Sequence, residues 1–166
     1  MKRGLLGAAL LLSAAMTLAA EPVKVGALVT GMIEAMPVKA GDVVKRGALL
    51  FRVDMAMWKA RRAELAAQVA LRKAQLEDAQ RDLAEQQDLY DRTVLATRAL
   101  QRSQTRVAIA KAQLQAAQAA LQAHQAWKRY YEVRAPFKAR VKAIQTPAGS
   151  TVYRENTPVM LLEPAS

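Results

Sequence analysis

Apolar residues fall at seven-residue intervals along the middle of the chain: Val69, Leu76, Leu83 and Tyr90, then Leu100, Val107, Leu114 and Leu121. That spacing keeps one face of an α-helix apolar and marks a coiled-coil seam. No glycine or proline interrupts the chain from Ala48 to Ala135, and the stretch is rich in Ala, Leu, Gln, Arg and Glu. These residues favour helix strongly. Alanines at Ala79, Ala110 and Ala117 fill other seam positions and allow close helix approach. Pairing Val69 with Leu121, Leu76 with Leu114, Leu83 with Val107 and Tyr90 with Leu100 makes the two seams run in opposite directions about residue 95. The pattern predicts an antiparallel hairpin whose arms extend about 60 Å. The alternative, one continuous helix in a parallel dimer, would hold the segments on either side of it far apart and unsupported.

Those flanking segments alternate short β-prone runs with turn signals. Before the helical stretch, Gly31, Gly41-Asp42 and Gly47 punctuate Leu28-Val29, Met32-Ile33, Val43-Val44 and Leu49 to Val53. After it, Ala135-Pro136, Pro147-Ala148-Gly149 and Asn156-Thr157-Pro158 bound Arg140 to Ile144 and Val159 to Leu162. The run Ala40-Gly41-Asp42-Val43-Val44-Lys45-Arg46 is echoed by Ala148-Gly149-Ser150-Thr151-Val152-Tyr153-Arg154. Neither segment, at roughly 30 residues, buries enough surface to be stable alone. Packed face to face, they are expected to form a flattened β-sandwich with pseudo-twofold symmetry. Gly41, Gly47 and Gly149 are expected at turns with φ > 0. Asp42 and Pro136 complete the set of structural turn residues.

Charge sharpens this picture. The net charge of +11 invites a nucleic-acid reading, but its distribution argues against one. From Arg92 to Tyr131 there are seven basic residues and no acid, whereas Glu77 to Asp91 holds six acids and only Arg81 as a base. Adjacent blocks of opposite sign suggest faces that meet, with Asp88–Arg102, Glu85–Arg106, Asp91–Arg98 and Asp78–Lys111 as expected pairs across the hairpin. The first twenty residues read as a secretory signal: Lys2 and Arg3, an apolar core from Leu5 to Leu12, and the small-residue exit Thr17-Leu18-Ala19-Ala20. Export to a bacterial periplasm is expected, with an uncleaved inner-membrane anchor as the alternative. The chain has no cysteine, and so neither a disulfide nor a thiolate metal site. The expected organisation is a signal peptide over 1–20, a first β half over 21–54, the hairpin over 55–131 with its tip near 91–100, and a second β half over 132–166.

The segment from Val38 to Asp54 resembles the first half of a biotinyl/lipoyl-type domain. Val133 to Val141, with Ala148-Gly149-Ser150-x-Val152, resembles the second half. Two such halves separated by an α-hairpin are similar to the periplasmic adaptors, or membrane fusion proteins, of HlyD type. The resemblance implies an α+β fold: a long antiparallel two-helix coiled-coil hairpin inserted into a split lipoyl-like β-sandwich. It covers essentially all of the chain after the signal. Lys138-Ala139 stands where the family usually has an Asp-Gly turn. The sequence stops at Glu163-Pro164-Ala165-Ser166, where the family's β-barrel would begin, so a minimal form lacking the barrel and membrane-proximal domains is expected.

By this resemblance the protein would be a subunit of a tripartite efflux or secretion system, bridging an inner-membrane transporter and an outer-membrane duct. The transporter contact could run through a second, barrel-bearing adaptor chain, and a homo-oligomer is implied. The alternative is a periplasmic scaffold that uses the hairpin without transport. The tip is the candidate partner-binding site, with Leu89, Arg92, Val94, Leu95, Ala96, Thr97, Arg98 and Leu100. Val94 and Leu95 at the apex either meet a partner or simply close the hairpin. The family's Arg-x3-Leu-x6-Ser tip pattern falls on Glu85, Leu89 and Ala96, where only Leu89 matches. Shifted by seven it falls on Arg92, Ala96 and Ser103, where the Arg and Ser match.

Other chemistry finds little footing. A lipoyl or biotin carrier needs a lysine on the tight turn between the halves, and here the hairpin replaces that turn. Lys59, in Asp54-Met55-Ala56-Met57-Trp58-Lys59, reads as a first-turn helix lysine. His124 falls on the seam with no second ligand nearby and reads as a packing residue. The acids from Glu77 to Asp91 read as salt-bridged solvent faces rather than catalytic carboxylates or a cation site. Trp58, Trp127, Tyr130 and Tyr131 gather where shaft meets base and read as junction packing. No nucleophile–base pair, phosphate loop or metal cluster is present in the sequence, so neither enzyme activity nor a cofactor is expected.

Overall fold

Eight strands and three helices make up the described part of the computed structural model, residues 21–92, 97–154 and 158–165. The proposed signal segment, the apex residues Val94, Leu95 and Ala96, and the Asn156-Thr157 turn lie outside the described residues. In chain order the elements are β1 (Val23–Gly26), β2 (Gly31–Ala35), β3 (Val43–Val44), β4 (Leu49–Val53), α1 (Ala56–Arg92), α2 (Thr97–Ala126), α3 (Lys128–Tyr131), β5 (Glu132–Arg134), β6 (Ala139–Ile144), β7 (Thr151–Val152) and β8 (Pro158–Pro164).

The strands form two four-stranded sheets, ordered β1-β8-β6-β3 and β5-β4-β2-β7. Exchanging each strand of the first half for its counterpart in the second turns one sheet order into the other. Each sheet takes two strands from each half. Only β2–β4 and β6–β8 are pairs made within a half; β1–β8, β3–β6, β2–β7 and β4–β5 all join the two. Neither half can therefore complete a sheet by itself.

The echo in the sequence becomes an echo in the hydrogen bonds. Gly41 N–H donates to the Val141 carbonyl at 2.7 Å, and Val141 N–H donates to the Asp42 carbonyl at 2.8 Å. At the matching place, Gly149 N–H donates to the Ile33 carbonyl, and Ile33 N–H to the Ser150 carbonyl, both at 2.9 Å. Gly41 and Gly149 sit at φ 96° and 88°, and Gly47 at φ 84°, a region where a Cβ would be strained. Asp42 closes its turn by accepting the Lys39 N–H on Oδ2 at 2.8 Å.

The core lies between the sheets. Leu50, Phe51 and Val53 of β4 are fully buried, as are Val159, Met160 and Leu162 of β8, so the two central strands carry the same burial pattern. Ile33, Ala139, Val141 and Val152 complete its centre. Gly31, read from the sequence as a turn residue, stands inside β2 instead. A Cβ there would come 2.7 Å from Cγ1 of the fully buried Val53, so close packing demands this glycine.

α1 and α2 pack antiparallel. Trp58 meets His124, Arg72 meets Gln113, and Asp82 meets Ser103 and Arg106, so numbers rise on one helix as they fall on the other. At 37 and 30 residues these helices extend about 55 and 45 Å. Asp54 caps α1, its Oδ1 accepting the Ala56 N–H at 2.8 Å.

The register is about one helical turn away from the expected one. Asp82 lies level with Ser103 and Arg106, which sets Leu83 beside Ser103, Leu76 beside Ala110 and Val69 beside Ala117. Large seam residues face small ones, and the small ones are the more deeply buried: Ala79, Ser103 and Ala110 are buried, whereas Val69, Leu76 and Leu83 are half-buried. Matching large with large would have forced the helices apart, and close packing prefers interdigitation. The expected ion pairs across the hairpin change accordingly. Arg106 pairs with Asp82 rather than Glu85, Asp88 with Arg92 of its own helix, and Asp78 with Arg81.

α2 also ends earlier than the expected hairpin. It breaks at Trp127, whose N–H bonds three residues back to His124, and one short turn, α3, leads into β5.

Gly31→Ala is expected to destabilise the base by roughly 1–3 kcal/mol, because the buried Val53 methyl has nowhere to go. Urea unfolding of the variant, compared with Lys45→Ala at an exposed position as control, checks this.

Candidate functional site: the hairpin tip and its root

The hairpin offers two places where its geometry has consequences, the far end and the root. At the far end, Leu89 and Tyr90 are 45% and 39% exposed, large for residues on a coiled coil. Arg92 is exposed and held by Asp88 at 3.1 Å. Thr97 and Arg98 open α2 and are exposed. Leu100 is only 9% exposed and belongs to the seam, so it supports the tip from inside rather than presenting itself. Val94, Leu95 and Ala96 lie outside the described residues. Ser103 is 3% exposed, and its hydroxyl donates to Asp82 Oδ2 at 3.0 Å. It is locked inside the hairpin, so the serine of the alignment that ends on it does not present itself at the surface. The alignment through Glu85 and Leu89 keeps both of those positions on the surface.

At the root, the strand pair β4–β5 sets both arms. Arg52 lies opposite Glu132 and Phe51 opposite Val133, so α1 leaves from one strand and α3 returns into its hydrogen-bonded neighbour. Strands lie about 4.8 Å apart whereas packed helices lie about 8–10 Å apart. The chain must widen between the two spacings, and the break at Trp127 with the single turn of α3 does this.

A reciprocal clamp then fastens the arms. Trp58 Nε1–H donates to the His124 carbonyl at 3.1 Å, and His124 Nε2 lies 2.9 Å from the Trp58 carbonyl. A carbonyl only accepts, so Nε2 carries the proton. The two rings stack at 5.4 Å with 17° between their planes, and Trp58 is 7% exposed. The His124 carbonyl also accepts the Trp127 N–H at 3.1 Å, so one oxygen joins both arms and the helix break. Around this clamp, Arg129 lies over the Tyr130 ring at 4.8 Å, and Trp127 meets that ring edge-on at 5.2 Å. Tyr131 is half-buried against the base core.

Glu132 sits below the clamp with its side chain only 16% exposed, taking Arg134 at 3.1 Å and Lys128 at 3.3 Å. Burial pushes its carboxyl up, but the hydrogen bonds and charges of Arg134 and Lys128 outweigh this and hold it below the usual carboxylate range. A cleft of about 600 Å³ opens beside it, with Met55 and Trp58 in its floor and Arg52, Lys59, Arg62 and Lys128 around it. Lys59 lies on helix α1 in this cleft wall.

Among the described residues no cluster of His, Asp and Glu is able to hold a metal ion, and no helix is long and apolar enough to cross a membrane. A family model described as the RND MFP, barrel-sandwich hybrid domain matches residues 21–163. The chain belongs to the RND-type membrane fusion protein family. Among curated members of this family, it is 31% identical over 139 residues to multidrug resistance protein MdtA of Cronobacter turicensis, covering 84% of this chain and 34% of that protein. MdtA of Escherichia coli strain SMS-3-5 is 30% identical over the same shares. The chain thus spans about a third of the length of the curated relatives it matches. Two solved structures share the membrane fusion protein fold. ZneB of Cupriavidus metallidurans has a TM-score of 0.60 and 24% identity, covering 87% of this chain and 61% of that one. MacA of Actinobacillus actinomycetemcomitans has a TM-score of 0.60 and 22% identity, covering 89% and 50%.

The sequence placed Trp58 at the junction and His124 on the seam, but not against each other. Their shared seam phase was the available signal, and the one-turn register error hid it. The Lys128–Glu132 pair has an i,i+4 spacing, which is the signal for it in the sequence.

Trp58→Ala is expected to cost about 3–5 kcal/mol, through the lost buried ring, its stacking on His124 and its hydrogen bond to the His124 carbonyl. Its readout is the thermal midpoint followed by helical circular dichroism. For Glu132 the folded pKa is depressed, so its contribution is present above the unfolded value and is lost as pH falls through the folded one. The acid limb of the stability profile, from about pH 5 downward, should therefore be steeper in the wild type than in Glu132→Gln. Identical limbs would remove Glu132 from the root's ion network.

Proposed function

We propose that this chain is the base and shaft of a periplasmic adaptor in a tripartite efflux or secretion system. It catalyses nothing and acts by geometry. The sandwich is the anchor of the assembly, several copies stand side by side, and the hairpins project toward an outer-membrane duct. The transporter lies at the opposite, inner-membrane side.

The observation that carries this reading is the far end of the hairpin. A rod about 55 Å long, fastened at one end by the Trp58–His124 clamp, leaves Leu89 and Tyr90 exposed at the other. A rod that ends in exposed apolar side chains beside Arg92 and Arg98 suits end-on contact with another protein. Family membership and the similarity to multidrug resistance proteins support efflux as the setting. The tip residues are Leu89, Arg92, Val94, Leu95, Ala96, Thr97 and Arg98, with Leu100 beneath them.

In-cell photo-crosslinking from position Thr97, followed by mass spectrometry, tests the reading. Capture of an outer-membrane duct protein is the expected result. Capture only of periplasmic proteins unrelated to export, in cells that express a duct, would overturn it in favour of a scaffold without transport.

A further inference from the structure

The cleft at the root of the hairpin has no part in the adaptor reading. Its volume, about 600 Å³, lies within the range of pockets that take a drug-sized molecule. Met55 and Trp58 line it and are only 4% and 7% exposed, so its floor is apolar and belongs to the packed root. The hydrogen bond to the His124 carbonyl and the stacking on the His124 ring pin Trp58, so the floor is formed before anything binds.

The wall is cationic. Arg52 comes from β4, Lys59 and Arg62 from α1, and Lys128 from α3. Among the described residues Glu132 is the acid in the lining, and it already holds Arg134 and Lys128. Neighbouring acids are engaged as well. Glu34 holds Arg52 at 2.9 Å, and Asp54 caps α1.

Two of these cations lack a partner. Along α1, Arg61 holds Glu64, Lys73 holds Glu77, Arg81 holds Asp78 and Arg92 holds Asp88, while Arg72 bonds Gln75 and Gln113. Lys59 and Arg62 are the remaining basic residues of the helix, and among the described residues neither side chain has a hydrogen-bond or ion-pair partner. They stand three positions apart, hence on one face of the helix, and both border the cleft. The first turn of α1 holds no acid to neutralise them, and the helix dipole adds positive potential at that end. The helix thus satisfies its cations everywhere except beside this space.

We propose that the cleft binds an amphipathic anion, a single molecule with a carboxylate, sulfonate or phosphate head and a small aromatic or aliphatic body. The head lies between Lys59 and Arg62, and the body covers Met55 and Trp58. An inorganic anion would leave the apolar floor wet, and a neutral apolar molecule would leave the two cations without a counter-charge, so the cleft favours both features in one ligand. Such an occupant touches β4, α1 and α3 together and so ties the shaft to the base. The site lies at the opposite end of the hairpin from Leu89 and Tyr90, and it stands independently of the adaptor reading.

The test is isothermal titration of the full chain with anilinonaphthalenesulfonate as the probe. Binding of one molecule per chain is expected, weakening as salt rises. Lys59→Gln and Arg62→Gln should each weaken it about threefold or more, and the double variant about tenfold. Both side chains are exposed, and helical circular dichroism before each titration checks that the variants are folded. Lys73→Gln and Arg81→Gln, on the same helix but outside the cleft, should leave binding unchanged. The neutral sulfonamide analogue and inorganic sulfate should each bind at least about tenfold more weakly than the probe. Bound probe should also raise the thermal midpoint of the wild type and not that of the double variant. Equal binding by the wild type and the double variant, an equal loss in the Lys73 and Arg81 controls, or equal affinity for the neutral analogue would overturn the proposal. Binding to phosphatidylglycerol vesicles without binding of the soluble probe would overturn it in favour of a membrane contact. Duct capture at Thr97 has no bearing on any of these outcomes, so the two readings fail separately.

Discussion

The pairing of β4 with β5 is the constraint from which the rest follows. These adjacent antiparallel strands are joined not by a tight turn but by the whole hairpin. Hydrogen bonding between them fixes where both arms start and in which direction they leave. The sandwich buries Phe51 on β4 and half-buries Val133 on β5, so the root of the shaft is continuous with the core of the base. The mismatch between strand spacing and helix spacing is absorbed within a few residues by the break at Trp127. The clamp of Trp58 on His124 then holds the two arms together at the root.

Above the root, size complementarity sets the register and charge does not. Exposed ion pairs contribute at most about 1 kcal/mol each and tolerate small shifts. A leucine opposite an alanine or serine cannot slide by a turn without meeting another leucine. This ordering of effects explains why the seam chose Leu83 beside Ser103, although the charges alone favoured another pairing. The acids and bases left over are then turned outward.

Much of the fold was legible in the sequence because it is written in periodicities. The seven-residue spacing gave the hairpin, and the repeated Ala-Gly-Asp/Ser-x-Val motif gave the two halves of the base. The positive φ at Gly41 and Gly149 follows from the same motif. The interleaving of strands was not legible, because β1 and β3 pair with partners more than a hairpin away in sequence. Gly31 looked like punctuation because a glycine needed for close packing and one needed for a turn are identical letters. The register was off because a heptad pattern offers several alignments one turn apart, and only side-chain volumes distinguish them. At the tip, Leu100 was grouped with surface residues by nearness in sequence, although its phase belongs to the seam.

The interleaved base has a consequence for how the chain reaches its final state. A polypeptide that emerges from its N-terminus first presents β1, β3 and β4 long before β5, β6, β7 and β8 exist to pair with them. Until then only the β2–β4 pair is available, with two edges open to other chains. The helices form by local contacts and so fold early, whereas pairing across the chain is slow. As α1 and α2 zip together, they carry β5 to β4 and replace the closure of a long flexible loop by the docking of two adjacent strands. The closed shaft thus shortens the effective loop between the two halves of the base. A lesion that slows its closure would act first on the yield of folded protein, through exposure of the waiting strands, before it altered the finished structure.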